Sequence, residues 1–269
     1  MAKLSEKAAQ NLAALREKKP LIHNITNFVA MNYTANALLA MGVLPMMAHA
    51  ENEVEELVST AGALVLNIGT PSKGRIASMI IAGKKATELN TPIVLDPVGA
   101  GASSFRMSST VSIIDQTRVS VIRGNASEIL SLGRSDIKTK GVDAAHSVDE
   151  AAEIAGVLAG EIQATLAITG PMDLVTDGDR TIRVANGHPL MGYVTGTGCV
   201  STAIIGAFLA VVDDRVSATA AALAFFGLAG EKAGEKAAAP GSFKSALIDA
   251  LYTITPADLA MGARFEENY

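Results

Sequence analysis

Residues 93–101 read Ile93-Val94-Leu95-Asp96-Pro97-Val98-Gly99-Ala100-Gly101. An apolar run without polar alternation gives way abruptly to an acid, a proline and glycines. Such a run suits a strand buried on both faces, as in a parallel sheet. The same pattern recurs. Leu21-Ile22 leads into His23-Asn24, and Ala63-Leu64-Val65-Leu66 into Asn67-Ile68-Gly69. The run from Val119 to Ile122 leads into Arg123-Gly124-Asn125, and Leu166-Ala167-Ile168 into Thr169-Gly170. Helical stretches lie between them: Asn27 to Met41, Asn52 to Ser59, Ser72 to Leu89 and Ala126 to Leu132. This alternation predicts an α/β fold, with a mostly parallel central sheet and helices on both faces. In open sheets of this kind, ligands bind beyond the carboxyl ends of the strands. Any one of these polar ends also reads as an ordinary turn. Five of them together point to a site.

The rest of the chain fits around that frame. Ser5 can cap a first helix with Ala8, Leu12 and Leu15 on one face, ended by Lys18-Lys19-Pro20. Asp173 to Tyr193 is richer in Thr, Val, Gly and Asp, with turn signals at Asp177-Gly178-Asp179 and Asn186-Gly187. It reads as antiparallel hairpins at one edge. Cys199 to Val212 is an uncharged stretch of 14 residues, shorter than a membrane span, and Asp213, Asp214 and Arg215 stop it. With the small-residue stretch Ala218 to Gly230 it reads as a pair of buried central helices. The last part of the chain reads as helical. No repeat, linker or low-complexity tract interrupts the chain, so residues 1–269 are read as a single domain.

Composition narrows the functional classes. Hydrophobic residues make up 49% of the 269 and charged residues 18%, which excludes a disordered chain. The net charge of −5 argues against nucleic-acid binding by a basic stripe. Cys199 is the single cysteine, so neither an intramolecular disulfide nor a Cys-rich zinc site can form. That usage, with a polar start that lacks the apolar segment of a signal peptide, predicts a cytoplasmic protein with no membrane partner.

Two clusters carry chemistry. Gly196-Thr197-Gly198-Cys199 runs directly into the apolar helix. Glycines at a helix start let backbone N–H groups face an anion, and the helix dipole favours negative charge there. The loop is neither a Walker A sequence nor a dinucleotide fingerprint. A tight turn with a small buried Cys is the plainer reading of it taken alone. The second cluster is Asn125 and Glu128, three residues apart, which would share the first turn of a helix. They suit a magnesium site, with Asp96 as a third oxygen donor. They also fit a capping box without its usual Ser or Thr. Arg123 supplies a planar fork for phosphate. Anion hole, oxygen ligands and arginine together read as phosphoryl transfer.

These segments resemble the hydroxyethylthiazole kinase family of the ribokinase-like superfamily. The matching pieces are His23-Asn24-Ile25-Thr26-Asn27, Asn32-Tyr33-Thr34-Ala35-Asn36, Leu66-Asn67-Ile68-Gly69-Thr70, Leu95-Asp96-Pro97-Val98-Gly99-Ala100-Gly101, Ile122-Arg123-Gly124-Asn125, Ala167-Ile168-Thr169-Gly170, Asn186-Gly187-His188, Gly196-Thr197-Gly198-Cys199 and Pro240-Gly241-Ser242-Phe243. They span most of the chain in family order. The resemblance implies a ribokinase-like three-layer fold. It implies ATP-dependent phosphorylation of 4-methyl-5-(2-hydroxyethyl)thiazole in thiamin salvage, with Mg²⁺. It also implies a homotrimer with the thiazole site at a subunit interface. By motif, Arg123, Thr169 and Asn125 are expected at ATP, and Asp96 and Glu128 at the metal. Met47, which directly precedes Ala48, and Gly196 are expected at the thiazole, with Asn27, Val29 and Gly69 as neighbours. Gly196, Gly198 and Cys199 are expected at the reacting centre. Many ribokinase-like enzymes have Asp where this chain has Cys199, so a modest role is expected for the thiol. His23 reads as orienting a loop; His49, His146 and His188 show no metal-ligand spacing. The same fold also hosts phosphomethylpyrimidine kinases and NAD(P)H-hydrate dehydratases. The thiazole-kinase segments disfavour the first. Cys199 disfavours the second. A non-catalytic sensor is disfavoured because Asp96, Glu128 and the Gly-x-Gly loop are all present.

Overall fold

The computed structural model describes residues 3–133 and 148–268. Among them, nine strands form one sheet: β1 (Leu21–Ile25), β2 (Leu44–Met47), β3 (Ala63–Asn67), β4 (Ile93–Asp96), β5 (Val121–Asn125), β6 (Thr165–Thr169), β7 (Asp173–Thr176), β8 (Thr181–Val184) and β9 (Phe265–Asn268). Their order is β2-β1-β3-β4-β5-β6-β7-β8-β9. Pairing is parallel from β2 through β6 and antiparallel from β6 through β9.

Side chains alternate across the parallel half and so build two cores. Ile22, Val65, Val94, Val121 and Ala167 face α1 (Leu4–Lys18), α2 (Met31–Met41), α8 (Thr197–Leu209), α9 (Arg215–Lys236), α10 (Pro240–Thr253) and α11 (Pro256–Gly262). Leu64, Leu66, Leu95, Ile122 and Leu166 face α3 (Val54–Val58), α4 (Lys73–Leu89), α5 (Ser104–Gln116), α6 (Ala126–Ser131) and α7 (Val148–Ile162). The three layers expected from the sequence are therefore present. The uncharged run beginning at Cys199 is the central helix α8. A Cβ at Gly206 would lie 2.7 Å from Val65 Cγ2, so this glycine lets α8 rest directly on the sheet. Among the described residues, no helix is long and apolar enough to cross a membrane.

The structure corrects several boundaries. The first helix starts at Leu4 with Lys3 as its N-cap, so Ser5 lies inside it. Helix α2 starts at Met31; Asn27 lies in the preceding turn, where its Oδ1 accepts from the Ala30 N–H at 2.9 Å. Helix α3 keeps only Val54–Val58 of the longer stretch read as helical. Strand β2 and helices α5 and α7 were not read at all. Strand β2 is an edge strand of four residues containing Pro45, a composition without a strand signal. The region Asp173 to Tyr193 holds one hairpin, β7–β8, rather than several. Its second turn signal, Asn186-Gly187, leads into a 3₁₀ turn at Pro189–Tyr193. The antiparallel neighbour of β8 is instead the chain end, β9, where helix was expected. His146 lies outside the described residues.

Candidate active site

Asp96 closes β4 and is fully buried. Its Oδ2 accepts from Asn67 Nδ2 at 2.7 Å and from Thr202 Oγ1 at 2.8 Å, and stands 3.7 Å from Arg123 Nη1. Its Oδ1 is buried without a hydrogen-bond partner among the described residues. Burial pushes this carboxyl up to about 6, against the opposing pull of Arg123 and Thr202; the negative charge of Glu128 adds to the rise.

The start of α8 sits over this acid. Gly196 is its N-cap, with φ +93°, a backbone conformation that favours glycine. Val200 N donates to the Gly196 carbonyl at 2.9 Å, and no side chain caps the helix. The N–H groups of Gly198 and Cys199 thus have no acceptor within the helix. Gly198 has a second duty. A Cβ there would lie 2.6 Å from Arg123 Nη1, so the bare glycine makes room for the guanidinium. Cys199 Sγ accepts from Asn27 Nδ2 at 3.2 Å. Burial and the Asp96 charge push the thiol up, which leaves it protonated at neutral pH.

Arg123, in the middle of β5, donates from Nη2 to Thr169 Oγ1 at the end of β6. Asn125 and Glu128 form the reciprocal cap considered above: Glu128 N donates to Asn125 Oδ1 and Asn125 N to Glu128 Oε2, each at 2.9 Å. Glu128 Oε1 accepts from Gly99 N at 2.9 Å, tying the loop after β4 to α6. The capping reading of this pair is therefore the one the geometry shows. Arg123, Asn125, Thr169 and Gly198 line a cavity of about 550 Å³. Its other walls include Asp173, His188 and Met191, and the apolar side chains of Leu223 and Phe226.

On the opposite flank, Asn27 Nδ2 also donates to Asn67 Oδ1 at 2.9 Å, which accepts from Gly69 N at 3.0 Å. A Cβ at Gly69 would lie 2.8 Å from Asn27, so these two expected neighbours pack directly. A Cβ at Gly196 would lie 3.3 Å from Ala30 Cβ, which puts the cap against the start of α2. Met47 ends β2 in register with Asn24. Val29 is 64% exposed. Neither of these two lines the cavity. His23 Nε2 lies 3.0 Å from the Ala48 carbonyl, so His23 does hold a loop, the one after Met47.

Asn67 and Thr202 escaped the sequence reading, yet they join the flanks. Asn67 bonds both Asn27 and Asp96; Thr202 bonds Asp96 from within α8. Asn67 stood in a quoted segment and could have been singled out as the polar end of β3. Thr202 gives no such signal inside an apolar helix. Asp173, whose carboxyl burial pushes up to about 6, was likewise read only as strand.

Among the described residues, no three His, Cys, Asp or Glu side chains gather as a cation site. The donor chemistry nonetheless fits magnesium. Asp96 and Glu128 are close enough for their charges to interact, and Asp96 Oδ1 has no partner. A cation bound by few carboxylates keeps waters and takes phosphate oxygens for the rest of its shell.

Comparison with known proteins gives the family. The family model described as "Hydroxyethylthiazole kinase family" matches residues 12–257. A hydroxyethylthiazole kinase of Desulfotalea psychrophila is 60% identical over 268 residues, covering 100% of this chain and 98% of the relative. The hydroxyethylthiazole kinase structure from Pyrococcus horikoshii OT3 is 46% identical, with TM-score 0.90, covering 98% of this chain and 99% of that one. A pyridoxal kinase of Staphylococcus aureus in complex with ADP is 18% identical with TM-score 0.62, over 79% of this chain and 88% of that one, and shows the shared fold alone.

Proposed function

The chain belongs to the hydroxyethylthiazole kinase family, and from that premise we propose how its residues divide the work of phosphoryl transfer. The protein is a phosphotransferase with ATP as co-substrate, acting on the hydroxyl of 4-methyl-5-(2-hydroxyethyl)thiazole in thiamin salvage. In the reaction the alcohol oxygen bonds to the γ-phosphorus, the bond from that phosphorus to the β–γ bridging oxygen breaks, and the hydroxyl proton is lost. ADP and the thiazole phosphate leave.

The observation that carries the reading is Asp96 Oδ1, buried and without a partner beneath the start of α8. The nucleotide takes the cavity, with its base on the apolar wall of Leu223 and Phe226 and its phosphates toward Arg123, Thr169 and Asn125. The N–H groups of Gly198 and Cys199 meet the charge of the transferring group. Asp96 and Glu128 would hold Mg²⁺, which would neutralise phosphate charge. The alcohol lies on the other flank, among Asn27, Val29, Met47, Gly69 and Gly196. Asn27 links that flank to Cys199. The transition state of phosphoryl transfer is loose, so the proton departs late and a strong base is unnecessary. A thiol kept protonated by burial suits that chemistry as a spacer and weak hydrogen-bond partner.

Exposure of Val29 on the alcohol flank, 64%, together with the family resemblance, supports a homotrimer whose chains close that flank against one another. Sedimentation of the purified protein tests this; a monomer at assay concentration contradicts it. The cytoplasm is the proposed location, on the strength of the lone Cys199.

A coupled ADP-release assay with Mg·ATP tests the reaction. It compares hydroxyethylthiazole, hydroxymethylpyrimidine and no acceptor. Thiazole-dependent release, with the phosphorylated product identified by mass, is expected. Turnover with the pyrimidine alone would reassign the alcohol site. No turnover with either, in a protein that still binds ATP, would remove the kinase reading.

A further inference from the structure

Arg75 is 5% exposed, an unusual place for a guanidinium. It occupies the first turn of α4, where its own N–H is capped by Ser72 Oγ at 3.4 Å. Its Nη1 donates to Thr70 twice, to the carbonyl at 3.2 Å and to Oγ1 at 3.0 Å. Nε and Nη2 are buried without a hydrogen-bond partner among the described residues. The guanidinium carbon stands 4.4 Å from the centroid of the Phe28 ring, within cation–π range.

Phe28 is fixed from more than one side. Its backbone N–H donates to Thr70 Oγ1 at 3.3 Å. Its ring meets the His49 ring edge-on, with centroids 5.9 Å apart. Thr70 itself has φ +45°, left-handed backbone that a β-branched residue rarely adopts. Arg75 thus ties a strained residue to a ring that is 61% exposed. Location gives the cluster its meaning. Phe28 follows Asn27, which touches Cys199, and precedes Val29. His49 lies two residues after Met47, and Thr70 follows Gly69. Phe28 thus gathers the segments that carry Asn27, Met47 and Gly69, through its own chain neighbours, the His49 ring and Thr70.

We infer that Phe28, clamped by Arg75, is a specificity wall of the alcohol site, and that its open face receives the flat heteroaromatic ring of the acceptor. The inference rests on the placement of the alcohol beside Asn27 and Met47. The positively charged clamp does two jobs. It holds the ring in one orientation before substrate arrives, and it keeps Thr70 in the geometry that the Phe28 N–H requires. An aromatic face fixed in advance loses little freedom on binding. A flat heteroaromatic alcohol gains from stacking on it, whereas an acyclic alcohol does not.

Steady-state kinetics of Phe28→Leu, Arg75→Ala and Arg75→Lys test this, with unfolding temperature recorded for each. Phe28→Leu is expected to raise KM for hydroxyethylthiazole about tenfold, the upper range of a ring–ring contact, and to leave KM for ATP within about twofold. Arg75→Ala should do the same. Arg75→Lys should recover much of the loss, since an ammonium still stands over the ring. Adding Arg75→Ala to Phe28→Leu should cost little more, because both remove one interaction. Should Arg75→Ala fail to fold, the Phe28→Leu change, at an exposed ring, carries the test. Met47→Ala run alongside separates two failures. A raised alcohol KM at Met47→Ala with none at Phe28→Leu overturns the clamp alone. Unchanged alcohol KM in both overturns the alcohol site as well. Equal rises in both KM values for Arg75→Ala, unrescued by Arg75→Lys, would make Arg75 a structural residue and end the proposal.

Discussion

On the β5–β6 side of Asp96 the chain wraps a cavity of about 550 Å³, with the polar ends of two strands on one wall and Leu223 and Phe226 on another. On the β1–β3 side, Phe28 and Val29 stand 61% and 64% exposed, and Met47 sits half-buried on an edge strand. The first region is enclosed by the chain itself: the segment from Thr169 to Asp173, the loop from Asn186 to Gly192 and helix α9 supply its other walls. The second is held by a few side chains, Asn27, His23 and Arg75, that pin loops. The seam between them is a chain of hydrogen bonds from Cys199 through Asn27 and Asn67 to Asp96. On the proposed reading, one chain finishes a nucleotide site alone. The same reading leaves the alcohol flank for the acceptor and a neighbouring chain to complete.

Changes at the seam should affect both sides most. Asp96→Asn is expected to lower kcat about 10³-fold, the scale of losing a preorganised charged group at a transition state. A loss under tenfold would place the decisive charge elsewhere. Gly198→Ala should act on the nucleotide side. The new methyl takes the place of Arg123 Nη1, and kcat/KM for ATP should fall about 10²-fold, as misplacement by an ångström does. Alcohol KM should barely move and the protein should fold normally. Cys199→Ala is expected to lower kcat by less than about 10²-fold, below the range of a strong general base. Complete loss of turnover in a folded variant that binds ATP would restore the thiol as the base. Met47→Ala should raise alcohol KM about tenfold, the effect of emptying part of an apolar pocket, without changing KM for ATP.

The smallest expected effect is a titration. The proposed role of Asp96 uses its anion, and burial pushes the carboxyl of the unliganded protein up to about 6. kcat/KM for Mg·ATP, which reports the free enzyme, should therefore fall as pH drops through about 6, while Asp96→Asn should abolish that limb of the profile. The sign for stability is opposite. A carboxyl whose pKa is raised in the folded state favours folding below the ordinary carboxylate range. That contribution is lost as pH rises through about 6. A profile of kcat/KM for Mg·ATP that stays flat from pH 8 to pH 5 would contradict the assignment of the charged form.

The two regions also differed in how far the sequence revealed them. Strands β3 to β6 were legible because burial on both faces leaves an apolar run, and a parallel sheet ends each run in polar residues. Asp96, Arg123, Asn125 and Thr169 stood at those ends. Strand β2, with Pro45, and strand β9, with Glu266 and Glu267, owe their pairing to partners far along the chain and carry no local pattern. Thr202 was hidden because a polar residue inside an apolar helix acquires meaning only from what faces it, here Asp96 Oδ2 at 2.8 Å. Phe28 and Arg75, 47 positions apart in the chain, meet only after β1 and β3 pair.

Calorimetric binding of a non-hydrolysable Mg·ATP analogue, without alcohol, tests the division between the two flanks most directly. It should be run on the unmodified protein, Arg123→Met and Met47→Ala. The account predicts affinity at least about tenfold weaker for Arg123→Met, which loses a charge-assisted phosphate contact, and unchanged for Met47→Ala. Weakening of similar size in both variants would show that the nucleotide site depends on the alcohol flank, and would contradict the account.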